Sequence, residues 1–309
     1  MLATAGRPPE DSHVWWREMK YDGMRAVTVV RGGDVRIFSR TLREVTGSFP
    51  EVEASVAALS AGRDMVIDGE LISPDVTGAP SFRRLQRRMW LRAPTPLQIR
   101  STLVQLVAFD LLELEGRSLQ GSSYVERRAR LIDLGLSGPL VWTSPAWSDV
   151  DPATLLVISR EHRLEGILSK RADSAYRPGQ RSRLWIKTVL RSRTDVVVAG
   201  WIPARGGDGI GALVLGAYSP DSVLTYVGRV GTGFTLAMRR SLRERLDRLA
   251  RPERPLDYPK AGRSVRWAAP DLVGAVDYRD FVGTLRHPSW VGLRSDVAPH
   301  DVTLPDRAD

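Results

Sequence analysis

Apolar and polar positions alternate in short blocks along the first half of the chain. RAVTVV (25–30) and VRIFS (35–39) are rich in β-branched residues, and Arg31-Gly32-Gly33-Asp34 between them predicts a hairpin. The spacing in EVEASVAAL (51–59) predicts a short amphipathic helix. MVIDGELI (65–72) and LVQLVAFDLL (103–112) are apolar runs of strand length and predict buried strands. SFRRLQRRM (81–89) predicts a helix with its arginines on one side. Ser123 and Glu126 form a capping box ahead of the helix YVERRARLIDL (124–134). Asp151-Pro152 opens another helix, ATLLVISREH (153–162). GILSK (166–170) and LWIK (184–187) predict short strands. Such mixing without regular βαβ units implies an α+β domain built on antiparallel sheets.

The polar stretch TVLRSRT (188–194) predicts a hinge. Beyond it come three β-like runs, DVVVAGW (195–201), GALVLGAY (211–218) and VLTYVGRV (223–230). A helix, TLAMRRSLRERLDRLA (235–250), follows. SVRWAA (264–269), LVGAVDYR (272–279) and FVGTLR (281–286) complete the pattern. Five or six short strands with one helix predict a Greek-key barrel of the OB type. The expected organisation is therefore residues 1–190 as one domain and 191–309 as an OB-fold domain.

Composition narrows the chemistry. No cysteine is present, which excludes disulfides and thiolate metal sites. His13, His162, His287 and His300 show no ligand spacing. The first residues lack the apolar segment of a signal peptide, and no run approaches the ~20 apolar residues of a membrane span. A cytoplasmic protein is the expectation. Net charge is +9, and residues 1–191 and 192–309 are both basic, which suits a polyanionic partner such as nucleic acid. GGDGIGALVLG (206–216) runs into a β-like stretch, so it is not a dinucleotide loop.

Only four of the 45 basic side chains are lysine: Lys20, Lys170, Lys187 and Lys260. One of them sits in EMKYDGMR (18–25). Arginine stays protonated, whereas a lysine amine can be desolvated, deprotonated and used as a nucleophile. Further along stand Arg40 in FSRTLREVTGSFP, Glu70 in IDGE, Phe109 and Asp110 in AFDLL, Glu165 and Lys170 in EGILSKR, and Lys187 in LWIK. This ordered set resembles the covalent nucleotidyltransferase superfamily, whose signature is Lys-x-Asp-Gly with Arg two residues on. With YVGRVGTGF (226–234) and LRHPSWVGLRSD (285–296), the chain is similar to bacterial ATP-dependent DNA ligases, in particular the ligase module of end-joining repair ligases.

The resemblance implies roles. Lys20 is the nucleophile that takes AMP from ATP, with Met19 beside it in the nucleotide site. Arg25 and Arg40 contact nucleotide phosphate and ribose or the 5′-phosphate of a DNA break. Glu70 accepts a ribose hydroxyl and, with Glu165, holds Mg²⁺ or Mn²⁺. Asp68 shares the strand face of Glu70 and is expected to be structural. Phe109 stacks on adenine, and Lys187 contacts the α-phosphate. Lys170 is a basic contact to nucleic acid. Arg294 and Asp296 orient pyrophosphate. The implied partners are nicked or broken double-stranded DNA and a Ku-type end-binding protein, with the ligase acting as a monomer. Alternatives are an RNA ligase, a capping-type guanylyltransferase, or a non-catalytic DNA-binding protein of the same fold. Nineteen residues before Lys20 leave no room for a separate DNA-binding domain there, and fused polymerase or nuclease modules are not expected.

Two positions depart from the family pattern. Val189 stands where a second lysine follows Lys187 in relatives, and Val297 follows Asp296 where relatives have lysine. The expectation is slower self-adenylation, or compensation by a nearby guanidinium such as Arg191.

Overall fold

A computed structural model describes residues 1–11, 14–204, 209–259 and 264–305. His13, Lys260 and the glycines at 206 and 207 lie outside the described residues. The chain divides into two compact units, Met1–Leu190 and Arg191–Asp309.

The first unit holds two sheets. One orders its strands Leu2–Ala5, Arg181–Val189, Gly166–Arg171, Trp15–Lys20 and Ala146–Trp147. All neighbours in it are antiparallel except Leu2–Ala5 with Arg181–Val189. The other runs Asp34–Ser39, Met24–Arg31, Met65–Ile72, Gln105–Leu114 and Arg117–Ser118, with Val141–Thr143 added parallel to Gln105–Leu114. Gly32 and Gly33 both take positive φ, 55° and 90°, as the tight turn of the predicted hairpin requires. The helices Pro50–Ser60 and Tyr124–Asp133 cover the second sheet, and Pro152–Glu161 covers the first. The capping box of Ser123 and Glu126 is formed, and the Asp151 side chain caps the helix at Pro152. The apolar interior of the second sheet runs from Ala26, Ile37 and Phe49 to Ile67, Leu106 and Leu131, each 0% exposed.

The second unit is one antiparallel sheet in the order Leu224–Val230, Ile210–Tyr218, Ser192–Pro203, Arg266–Tyr278, Ser289–Arg294. Its two edges approach each other. Trp290 N–H donates to the Thr232 carbonyl at 2.9 Å, and Leu285 N–H to the Val227 carbonyl at 2.8 Å. The helix Leu236–Arg248 joins Leu224–Val230 to Arg266–Tyr278 and buries Leu242 and Leu246. This is the five-stranded, partly open Greek-key barrel expected of an OB fold.

Several local expectations need correction. SVRWAA and LVGAVDYR belong to a single strand, Arg266–Tyr278. FVGTLR makes only an isolated bridge, Phe281 with Leu285, and the last strand is Ser289–Arg294. The predicted helix at 81–89 is regular only over Phe82–Gln86, and Arg88 within it is buried, so its arginines do not share one side. The boundary between the two units falls within the predicted hinge stretch, where extended structure ends at Val189 and resumes at Ser192.

Candidate active site

Lys20 ends the strand Trp15–Lys20, and Glu165 stands just ahead of the strand Gly166–Arg171. These strands pair antiparallel, with Lys20 opposite Gly166. Glu165 N–H donates to the Lys20 carbonyl at 2.9 Å. The register brings the two side chains together, and Lys20 Nζ donates to Glu165 Oε2 at 2.5 Å. Gly166 is required here. Its φ is 138°, and a Cβ would meet the Thr188 carbonyl oxygen at 2.1 Å. Gly23 plays a similar part on the other side of Lys20, where a Cβ would lie 2.1 Å from the Leu71 carbonyl oxygen. Both glycines let backbones close in around the amine.

Lys20 opens into a cavity of about 390 Å³, within the size range of small-molecule sites. Its wall includes Met19, Arg25, Arg40, Glu70, Phe109 and Lys187. Seven of the predicted site residues therefore meet in one cavity, with Glu165 paired to Lys20 beside them. Lys187 lies opposite Leu168 in the adjacent strand. Desolvation, reinforced first by the charge of Lys20, pushes its ammonium below the usual lysine range. Glu70 is pushed up to about 8, first by burial and then by the nearby carboxylates of Glu165 and Asp68, against the pull of Lys20 and Arg25. Met19 is 8% exposed and packs chiefly with Leu155 and Ile167, its sulfur accepting from the Ser159 hydroxyl at 3.1 Å. Arg40 is exposed.

Arg25 is placed differently from the expectation of a phosphate or DNA contact. Its guanidinium forks onto Asp68 at 2.9 and 2.5 Å and also reaches the Met1 carbonyl and the Tyr176 hydroxyl. Tyr176 in turn donates to Asp68 at 2.7 Å. Arg25 thus builds the wall of the cavity, and Asp68 is structural as expected.

Lys170 is a correction. It is 0% exposed, so it does not present its charge to nucleic acid. Its Nζ donates to Glu18 Oε1 at 2.8 Å and to the Phe109 carbonyl at 3.0 Å. It also faces the rings of Phe109, Tyr124 and Trp185 at 4.4–4.9 Å. Burial lowers its pKa while Glu18 raises it. Beneath the same wall, Arg127 forks onto Asp110 at 2.7 and 3.0 Å, both residues almost fully buried.

The sequence reading missed Glu18 and Trp185. Each stands two residues before a lysine of the site, and alternate residues of a strand share a face. That parity was the available signal. Arg181 was missed as well. It lines the cavity in the same unit as Lys187, whereas Arg191, expected to compensate for Val189, lies in the second unit and donates to the His287 carbonyl at 3.4 Å.

Arg294 and Asp296 lie in the second unit. Arg294 forks onto Asp296 with two bonds of 2.8 Å and reaches Asp195 at 3.1 Å. Hydrogen bonding from Arg294 holds the Asp296 carboxyl down at about 2.

A divalent metal needs oxygen ligands. Among the described residues no group of three histidine or acidic side chains is arranged to hold one. Mg²⁺ commonly uses one or two carboxylates plus substrate phosphates. Glu70 lines the cavity and Glu165 is bonded to Lys20 beside it, so both carboxylates are available there. Burial is the main reason the Glu70 carboxyl is raised, with Glu165 and Asp68 adding to it.

Comparison with known proteins follows the same lines. Residues 7–188 match the model of the ATP dependent DNA ligase domain, and residues 206–297 match the ATP dependent DNA ligase C terminal region. The chain is 41% identical over 98% of its length to a multifunctional non-homologous end joining protein LigD of Mycolicibacterium smegmatis, and spans 39% of that relative's length. It resembles the crystal structure of the ligase domain from M. tuberculosis LigD with a TM-score of 0.58, at 35% identity, covering 98% of this chain and 97% of that one. A mycobacterial DNA ligase D complexed with ATP and MES is equally similar, with TM-score 0.58 and 35% identity over 98% and 96% of the two chains. No described helix is long and apolar enough to cross a membrane. On the family match and the shared ligase-domain fold, the chain belongs to the ATP-dependent DNA ligases.

Proposed function

We propose that the chain seals DNA breaks bearing a 5′-phosphate and a 3′-hydroxyl, through an AMP carried on Lys20. One observation carries the reading: the Lys20 amine faces a nucleotide-sized cavity while hydrogen-bonded to Glu165.

In the first step the uncharged Lys20 amine attacks the α-phosphorus of ATP. The N–P bond forms as the bond to pyrophosphate breaks. The amine proton passes to Glu165, the partner already at 2.5 Å. Lys187 steadies the charge growing on the α-phosphate oxygens. Phe109 offers its ring to adenine, Glu70 accepts from a ribose hydroxyl, and Arg40 reaches phosphate at the exposed rim. Arg294 and Asp296 orient the departing pyrophosphate. In the second step AMP passes to the 5′-phosphate of the break and Lys20 is released. In the third, the 3′-hydroxyl attacks that phosphate and AMP leaves. Glu165 and Glu70 would hold Mg²⁺ or Mn²⁺, which neutralises phosphate charge as bonds exchange.

We assign residues 1–190 as the adenylation domain and 191–309 as the OB domain, working as a cytoplasmic monomer with double-stranded DNA. A Ku-type end-binding protein is the proposed partner, and pull-down on DNA ends with purified proteins tests it. The central test is transfer of label from α-labelled ATP with Mg²⁺. Wild type takes up label and seals a nicked duplex, and Lys20→Ala does neither. Absence of label on the wild-type protein would sink the reading.

A further inference from the structure

The segment from Phe82 to Ser101 contains six arginines and no acidic residue. Two of the six are structural. Arg88 is 1% exposed and donates to the carbonyls of Thr102 and Ser48 at 2.9 and 2.7 Å, and to Glu51 at 3.0 Å. Arg84 donates to the Ser101 carbonyl at 2.8 Å. These bonds pin the segment to the body of the first unit. The remaining four, Arg83, Arg87, Arg92 and Arg100, are exposed.

Helical turns continue past Gln86, with Met89 N–H donating to the Leu85 carbonyl at 3.1 Å. Arg83, Arg87 and Trp90 follow i, i+4, i+7 spacing, and all three are exposed. Leu85 and Arg88 are buried instead. Trp90 is 64% exposed, unusual for so large a ring. The Arg43 guanidinium lies 5.1 Å from its centre and comes from a separate loop. Phe82 and Met89 of the same segment line the cavity that holds Lys20. The basic face is therefore joined by chain to the reactive amine.

A solvated helix face normally intermixes signs of charge. A group of exposed guanidiniums around an exposed tryptophan, on a segment without acidic residues, suits the phosphates of a polyanion. We propose that Arg83, Arg87, Arg92 and the Arg43–Trp90 pair form a docking surface for the sugar–phosphate backbone of duplex DNA flanking the break. The proposal rests on the ligase reading above and deepens it by naming the surface.

The test uses the full chain in three forms: wild type, Arg83→Glu with Arg87→Glu, and a charge-matched control, Arg117→Glu with Arg130→Glu, whose residues are exposed outside the segment. A nicked duplex is titrated by fluorescence anisotropy over a range of salt, and lysine labelling by α-labelled ATP is read in parallel. The patch variant is expected to bind nicked duplex at least tenfold more weakly than the control. Its slope of log affinity against log salt should be shallower by about two, since each lost phosphate contact removes about 0.9. Its labelling should equal wild type, which also shows that it is folded. Trp90→Ala should weaken binding severalfold, and Trp90→Phe should restore part of it. Equal affinity and slope for patch and control variants would overturn the surface, as would loss of labelling together with binding. A wild type that binds duplex through this face yet takes no label would sink the ligase reading and leave the docking surface standing.

Discussion

The floor and the mouth of the cavity carry the same kinds of side chain and use them in opposite ways. At the floor, Lys170, Arg127 and Arg25 are matched to Glu18, Asp110 and Asp68 in close pairs. At the mouth, Lys20, Lys187 and Arg40 remain partly or fully exposed and crowd one another. The floor charges are satisfied by the protein itself. At the mouth Lys20 is paired with Glu165, while Lys20 and Arg40 both disfavour the charge on Lys187, a repulsion that a triphosphate would relieve. The difference teaches that position in a motif does not fix a lysine's task. Lys170 and Lys187 lie on adjacent strands of one sheet, yet the first is structural.

The largest effect on folding should come from the floor. Arg127→Ala leaves Asp110 buried without the two hydrogen bonds it accepts from the guanidinium. Breaking such a pair costs about 3–5 kcal/mol. Urea unfolding of this variant should show its midpoint falling sharply. A midpoint near wild type would mean that the floor pairs are looser than their geometry indicates.

Exchanging the two lysines sharpens the contrast. Lys170→Met takes from buried Glu18 its closest cation, leaving Tyr124 at 2.5 Å and Arg128 at 3.9 Å, so stability should fall, though by less than in Arg127→Ala. Lys187→Met should leave the unfolding midpoint close to wild type while slowing lysine labelling about a hundredfold or more. If Lys187→Met instead unfolds the protein with labelling per folded molecule intact, the division between floor and mouth is wrong.

Much of this site is legible in the sequence. EMKYDGMR marked Lys20 because an arginine-rich chain placed an uncommon lysine beside Asp22-Gly23. The close approach at Gly23 gives that glycine a physical reason. Strand positions such as Met65–Ile72 were visible because short apolar runs there are buried on both faces. What the sequence hid was depth. Nothing in EGILSKR distinguishes a lysine aimed at DNA from one sealed among Phe109, Tyr124 and Trp185, because its partner Glu18 lies 152 residues away. FVGTLR has the composition of a strand, but its neighbours turn it into a bridge, while Ser289–Arg294 completes the sheet without a strong β pattern.

A smaller effect should appear in the pH dependence of stability. Glu70 titrates near 8 in the folded chain against an ordinary carboxylate value of 4.5. The folded state therefore binds the proton more tightly. This contribution is complete below the unfolded value and is lost as pH rises from about 4.5 through about 8. In EDTA, wild type should lose stability across that window, and Glu70→Gln should show a flatter curve. Parallel curves for the two proteins would mean that Glu70 is already ionised beside Lys20 and Arg25. In that case the mouth would need no metal to settle its carboxylates.

The smallest effect on folding should come from the second unit, where Arg294 forks onto Asp296 at an exposed position. Exposed pairs add little to stability because water already solvates both partners. Asp296→Asn should leave the unfolding midpoint within repeat error of wild type. Its carboxyl is held down at about 2, so the fork is set at every working pH, and under the proposed function its task is orientation rather than folding. Loosening it should raise the ATP concentration needed for half-maximal labelling severalfold, while sealing of a pre-adenylylated nick stays unchanged. That split separates orientation of the triphosphate from the later steps, in which pyrophosphate has already gone. Equal losses in both assays would instead place Arg294 and Asp296 in DNA contact, among the charges that grip the duplex.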